Sequence, residues 1–272
     1  MHPILEHNRQ AWNDRVRTRG RHTRTVTDKE LTDPLRAVDP DGWLGGDIRG
    51  KRVLCLAAGG GLQSILYAAA GGVVTVVDLS DEMLELDRAI AAERGVQVNP
   101  VRASMDDLSA LGDAKFDIII QPVSTCYVPH VSLVYHQVAR LQSAGGLYIS
   151  QHKQPVSLQT AAMPSPDGYL IAESYYRAEA LPAASEGLMH REAGTMEFIH
   201  RWSQLVGDLC RAGYVIEDLA EPEHYNPQAQ RGTAAHRYCF APPYVKLKAR
   251  RTDAQPAAIG VGRLWTPDSA VE

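Results

Sequence analysis

The stretch Val53-Leu54-Cys55-Leu56-Ala57-Ala58-Gly59-Gly60-Gly61-Leu62-Gln63-Ser64 decides how this chain reads. An apolar run enters a triple glycine, and a helix-compatible segment leaves it. A second apolar run, Val73-Val74-Thr75-Val76-Val77, ends on Asp78. Glycines of this kind let a ligand approach the bare main chain, and an acid about 20 residues on accepts hydrogen bonds from ribose hydroxyls. The pattern predicts a nucleoside-containing cofactor at the end of a first strand–helix unit.

Working outward, the strand–helix alternation continues. Strands are predicted at 52–57, 73–78, 97–102, 116–121 and 146–152, and helices at 62–70, 81–94 and 130–142. Short continuous apolar runs such as Phe116-Asp117-Ile118-Ile119-Ile120 suit a parallel sheet covered on both faces. The fold class is therefore α/β, a doubly wound and mostly parallel sheet. Upstream, 3–19 reads as a helix, 20–27 as a loop and 28–38 as a short helix. Residues 1–45 are expected to form an N-terminal helical lid, and 46–250 the main domain. After 152 the texture changes: Pro155, Pro164, Pro166 and Pro182 interrupt any periodicity. Residues 153–195 are read as an inserted cap, with a hairpin around 169–171 and 175–177. A helix over 199–212 and strands near 214–220 and 236–250 follow. The tail 251–272 carries a weak core signal and is expected to be disordered.

The 272 residues carry a net charge of −4, which argues against binding nucleic acid through a basic surface. Arg15, Arg17, Arg19, Arg21 and Arg24 form a local exception, either a solvated face or a contact for an acidic substrate. The first residues are polar, and no apolar stretch reaches the ~18 residues of a membrane span. Cys55, Cys126, Cys210 and Cys239 show no CxxC spacing and read as reduced thiols in a cytoplasmic protein. The His and Cys spacing offers no metal site.

These stations resemble the class I S-adenosylmethionine-dependent methyltransferases over most of the chain, residues 50–250. In that family the first strand ends in hydrophobic-Asp/Glu-x-Gly-x-Gly-x-Gly. The matching residues here are Cys55, Ala57, Gly59 and Gly61, so a thiol stands at the acid and an alanine at the first glycine. The resemblance implies a seven-stranded Rossmann-like methyltransferase fold. It assigns Asp78 to the ribose and Asp106 to the adenine amino group. Ala57, Gly59, Gly61, Gln63, Leu79, Met83, Met105 and Gln121 are the other expected contacts to S-adenosylmethionine or its product S-adenosylhomocysteine. Leu141-Gln142-Ser143-Ala144-Gly145-Gly146-Leu147 is similar to the family's turn before its fifth strand. An NAD-dependent oxidoreductase is the runner-up. It has no use for Asp106, and the chain does not resume a second mononucleotide half. A non-catalytic cofactor-binding protein is the other alternative, motivated by Cys55 and Ala57. Ala241-Pro242-Pro243-Tyr244 resembles the motif of amino-methylating nucleic-acid enzymes but lacks its polar residue and lies after the wrong strand.

Methyl transfer is an in-line displacement, so the protein must align the reactants and, for a protic acceptor, remove a proton. Of ten histidines, His200 ranks first as candidate base by its place at the late helix. His152, at the end of the fifth strand, ranks second, and His130 third. A satisfied cap or surface histidine is the bland alternative for each. His7, His22, His136, His224 and His236 have no positional argument. Trp12, Tyr127, Tyr175, Tyr176 and Glu197 are the candidate substrate contacts, and the insertion would be a lid that excludes water. The expected partner is a small molecule acting as N, O or S acceptor, with neither nucleic acid nor membrane; a homodimer is left open.

Overall fold

The computed structural model describes residues 2–185 and 190–252. Five strands are laid down in parallel: β1 (Arg52–Leu56), β2 (Val73–Asp78), β3 (Val98–Arg102), β4 (Phe116–Gln121) and β5 (Gln142–Lys153). β6 (Tyr214–Ala220) and β7 (Tyr244–Arg251) complete a seven-stranded sheet in the order β3-β2-β1-β4-β5-β7-β6, with β7 antiparallel to both neighbours. The chain reverses direction across the sheet between β1 and β4, which opens a crevice at their carboxyl ends. The apolar runs explain the burial. Val53, Leu54, Cys55 and Leu56 are fully buried, with helices covering both sheet faces.

Helices α1 (Pro3–Arg17), α2 (Asp28–Leu31) and α3 (Pro34–Val38) precede the sheet, α4 (Gln63–Ala69) and α5 (Asp81–Arg94) flank β2, and α6 (Val131–Arg140) precedes β5. α5 shows how local sequence sets an element. Ser80 caps its first turn by accepting from Met83 N, Asp81 and Glu82 oppose the N-terminal dipole, and Gly95 at φ +66° ends it. α1 lies against α5 through Ser80 Oγ donating to Asn13 Oδ1 at 2.6 Å and Arg9 pairing with Asp81 at 2.7 Å.

Several expectations need correction. The segment 28–38 is two helices, because Pro34 starts α3 behind its Asp33 cap. Leu35, Val38 and Leu44 pack beneath the sheet, so this part of the predicted lid belongs to the core. Residues 169–177 form no hairpin; Ile171 bridges to Thr160 and Ser165 to Gly168. α7 (Pro155–Gln159) opens the insertion, and Leu158 and Leu181 pack with Cys126, Tyr127 and Ile199. The late helix begins only at Trp202, as a π-turn over Ser203–Gly207 followed by α8 (Asp208–Arg211). The last strand starts at Tyr244 rather than 236. α9 (Ala234–Arg237) and the Pro242-Pro243 pair, which lacks ladder donors, precede it. Arg251 closes β7, and the rest of the predicted tail from 253 lies outside the described residues.

Candidate active site

A cavity of about 580 Å³ opens at the carboxyl ends of β1, β2 and β4. Its first half is built from main chain. Ala57 leaves β1 at φ +50°, a left-handed conformation that costs a non-glycine residue about 1–2 kcal/mol. Gly60 and Gly61 continue at φ +117° and +70°. A Cβ on Gly59 would stand 2.8 Å from Met83 Cβ and 3.1 Å from the Asp78 side chain. Asp78 Oδ2 accepts from Gly59 N at 3.0 Å, and its Oδ1 accepts from Ser80 N at 2.9 Å. Desolvation pushes the Asp78 carboxyl up against these donors.

Beneath the turn lies Asp87 of α5, which the sequence reading missed. It accepts from Gly60 N at 3.1 Å, from Gly61 N at 3.0 Å and from Ser64 Oγ. Burial raises its carboxyl to about 6 despite these three donors. Asp87 thus holds the glycine turn from below while Asp78 faces the cavity from its wall. Cys55, at the position of the family's acid, is sealed in the core, and burial drives its thiol up so that it stays neutral.

Ala57, Gly59, Gln63, Asp78, Leu79, Met83 and Met105 all line the cavity. Gly61 does not; its φ and its N–H to Asp87 shape the turn instead. Asp106 turns away to accept from Ser104 Oγ, and it is Ser104 that reaches the cavity. Gln121 is buried behind the wall, donating to Ser124 Oγ at 3.0 Å and accepting from Tyr148 OH. These residues fit a nucleoside cofactor. The crevice closes on any side chain at Gly59, a carboxylate faces it at Asp78, and the buried Gln63 Oε1 has no partner.

The second half is built from side chains of distant segments. α1 supplies Leu5, Asn8 and Trp12, and the following loop supplies Arg21, His22 and Arg24. Tyr127, Gln151, Glu192, His224 and Tyr244 complete the wall. Asn8 ties α1 over the site by donating to Tyr127 O at 3.0 Å and accepting from Met196 N at 2.7 Å. The loop is tied to the glycine turn by Val26 N donating to Gly61 O at 3.1 Å.

Behind this wall runs a buried charge network. Lys153 sits between Glu192 and Glu197, 2.7 Å from Glu197 Oε1, and Arg191 holds Glu197 Oε2 at 2.6 Å. Tyr127 OH donates to Glu192 Oε2 at 2.7 Å, and His22 Nε2 lies 3.5 Å from Glu192 Oε1. Burial opposes the Glu192 charge. The hydrogen bond from His22 and the Lys153 ammonium outweigh it and hold the carboxyl well below its usual range. Burial also opposes the Lys153 charge, yet its carboxylate neighbours keep it firmly protonated.

The predicted bases lie elsewhere. His152 is fully buried between Thr125 Oγ1 at 2.9 Å and Ser150 Oγ at 2.8 Å. Burial, aided by His200, lowers it to about 3. His200 Nε2 donates to Thr125 O at 2.9 Å and its Nδ1 is buried without a partner; burial lowers it too. His130 is exposed at the start of α6. None of the three is among the cavity-lining residues. Of the predicted substrate contacts, Trp12 and Tyr127 line the cavity, 5.6 Å apart and edge to face. Tyr175 accepts from Trp202 N at 3.0 Å, Tyr176 is 74% exposed under Arg201, and Glu197 belongs to the network behind the wall. Among the described residues no cluster of His, Cys, Asp or Glu is arranged to hold a metal, and no helix is long and apolar enough to cross a membrane.

Residues 54–150 match the family model described as a methyltransferase domain. An uncharacterized methyltransferase of Bacillus subtilis, YbaJ, is 31% identical over 235 residues, covering 81% of this chain and 91% of that protein. A ubiquinone biosynthesis O-methyltransferase of Bordetella pertussis is 33% identical over 118 residues, 42% of this chain and 49% of that enzyme, so the match spans about half its length. Among solved structures, an S-adenosylmethionine-dependent methyltransferase from Mesorhizobium loti superposes with a TM-score of 0.59 at 20% identity, over 81% of this chain and 100% of that one. A magnesium protoporphyrin IX methyltransferase from Synechocystis with bound cofactor does so at 0.56 and 15%, over 93% and 99%. These likenesses set aside the nicotinamide and non-catalytic alternatives: the chain belongs to the class I S-adenosylmethionine-dependent methyltransferases and is an enzyme of that superfamily.

Proposed function

We propose that this methyltransferase acts on a small molecule and places the methyl group on the oxygen of an acidic hydroxyl. The carrying observation is the charge pattern of the second half of the cavity. Arg24 in this wall is paired with Glu30, and the wall's carboxylate, Glu192, is engaged by Lys153, Tyr127 and His22. A wall whose carboxylate is already paired offers an ammonium acceptor little to bind and suits a neutral hydroxyl. Trp12, Tyr127 and Tyr244 offer flat apolar surface for its body. The similarity to ubiquinone biosynthesis O-methyltransferases supports oxygen over nitrogen or sulfur.

When bound, S-adenosylmethionine supplies an electrophilic methyl whose sulfonium charge vanishes on transfer. The chain's own residues do the rest. Gly59 and Gly60 let the ligand approach the main chain, Asp78 accepts from the ribose hydroxyls, and Ser104, backed by Asp106, borders the adenine with Leu79 and Met105. Helix α1 and the insertion residues 153–185 and 190–195 act as covers that exclude water and hold the acceptor in line, a contribution of about 7–11 kcal/mol in well-oriented systems.

The test pairs calorimetric titration of S-adenosylhomocysteine with a mass-spectrometric screen of metabolite extracts for the gain of one methyl. Tight binding together with a methyl ether product supports the reading. A methylated amine or thioether overturns the oxygen assignment, and absence of binding at millimolar ligand overturns the cofactor site.

A further inference from the structure

We propose that His22, oriented by Glu192, is the catalytic base that takes the acceptor's proton. The inference rests on the methyltransferase reading above and names the group that the predicted histidines leave unfilled. His22 lines the cavity, and its side chain is 46% exposed there, so unlike His152 and His200 it is open to a ligand. Its backbone is left-handed, φ +68°, a conformation that histidine adopts more readily than most non-glycine residues. The turn is held from both sides, by Thr23 Oγ1 donating to Gly20 O at 2.7 Å and by Val26 N donating to Gly61 O.

Glu192 is built to orient a ring rather than to bind a ligand by itself. Its Oε2 is filled by Tyr127 OH and Lys153 Nζ, its own N–H donates to Glu197 Oε1 at 3.1 Å, and Oε1 is left for His22 Nε2. Nε2–H donating to Oε1 leaves the lone pair on Nδ1. The 3.5 Å separation is the loose contact expected before an acceptor closes the site. Arg21 and Arg24 from the same loop, Tyr127 after β4, and His224 and Tyr244 from the C-terminal segment share the wall with this pair. Lys153, Glu197 and Arg191 stand behind it.

In the step, the hydroxyl proton of the acceptor passes to Nδ1 of His22 as the oxygen lone pair bonds to the methyl carbon. The carbon–sulfur pair returns to sulfur and cancels its charge. The imidazolium then loses its proton to water. Glu192 is a positioning residue: it fixes the tautomer and balances the imidazolium.

The experiment uses full-length protein with ¹⁵N-labelled histidine, saturated with S-adenosylhomocysteine, in parallel with turnover on the acceptor from the metabolite screen or on simple phenols. Long-range ¹H–¹⁵N spectra should show neutral His22 as the Nε2–H tautomer, and Glu192→Gln should mix the tautomers. His22→Gln should bind S-adenosylhomocysteine within about twofold of wild type. It should lower kcat by about 10²–10⁴-fold with little change in KM. A ring found as Nδ1–H, or His22→Gln turning over within threefold of wild type, overturns the proposal. Failure of wild type to bind S-adenosylhomocysteine instead strikes the function reading, so the two failures are separable. If Glu192→Gln does not fold, the His22→Gln arm and the wild-type tautomer still decide.

Discussion

The two halves of the cavity are held in opposite ways. The cofactor half is main chain, a turn fixed by Asp78 on one side and Asp87 beneath, between helices and strands that are contiguous in sequence. The acceptor half is a mosaic of side chains from α1, its following loop, the insertion and the C-terminal segment, held by a buried ion network. The first half rests on main-chain donors held by two carboxylates of one strand–helix unit. The second depends on every partner being present, since a charge buried without its counter-charge is costly.

The sharpest way to break this contrast is Lys153→Met. It removes the ammonium between Glu192 and Glu197, and stability should drop by about 3–5 kcal/mol in urea unfolding. A change under 1 kcal/mol would mean that the network does not hold the acceptor half. Next in size, Asp78→Ala should weaken S-adenosylhomocysteine about 10²-fold by calorimetry, through lost charge-assisted hydrogen bonds to the ribose; affinity within threefold would show that the grip lies elsewhere.

Asp87 gives a pH signature. Its carboxyl is raised in the fold, so the folded state holds a proton that the unfolded chain has lost. Its contribution to stability is complete below about pH 4 and is lost as pH climbs through about 6. Asp87→Asn should flatten that slope and cost about 1–3 kcal/mol from the unmatched Gly60 or Gly61 donor; an unchanged slope would assign the titration to another group. The smallest effect belongs to Ala57→Gly. Relief at φ +50° is offset by the freer unfolded chain, so a gain of about 0.5 kcal/mol is expected by thermal unfolding. A loss would mean that the Ala57 methyl contributes packing in the cavity wall.

The same division explains what could be read in advance. The cavity-lining places of Gly59, Asp78, Leu79, Met83 and Met105 are legible because the crevice of such a sheet lies at strand ends, and strand ends follow apolar runs. Asp87 left a signal: it sits on the face of α5 that carries Met83, Leu84 and Ala91, where an acid must have a buried purpose. His152 lies away from the cavity because alternation along β5 decides which side chain faces it. Gln151 does, and His152 points into the core. Nothing in sequence spacing announces that His22 and Glu192 meet, since they lie on separate loops and only the folded sheet brings them to one wall.

The bond from Val26 N to Gly61 O has a mechanical consequence. The loop bearing His22 is moored to the same glycine turn that shapes one wall of the crevice. A compulsory sequence in steady-state inhibition, nucleoside first and acceptor second, is the expected outcome; random order would show that this mooring does not link the two halves.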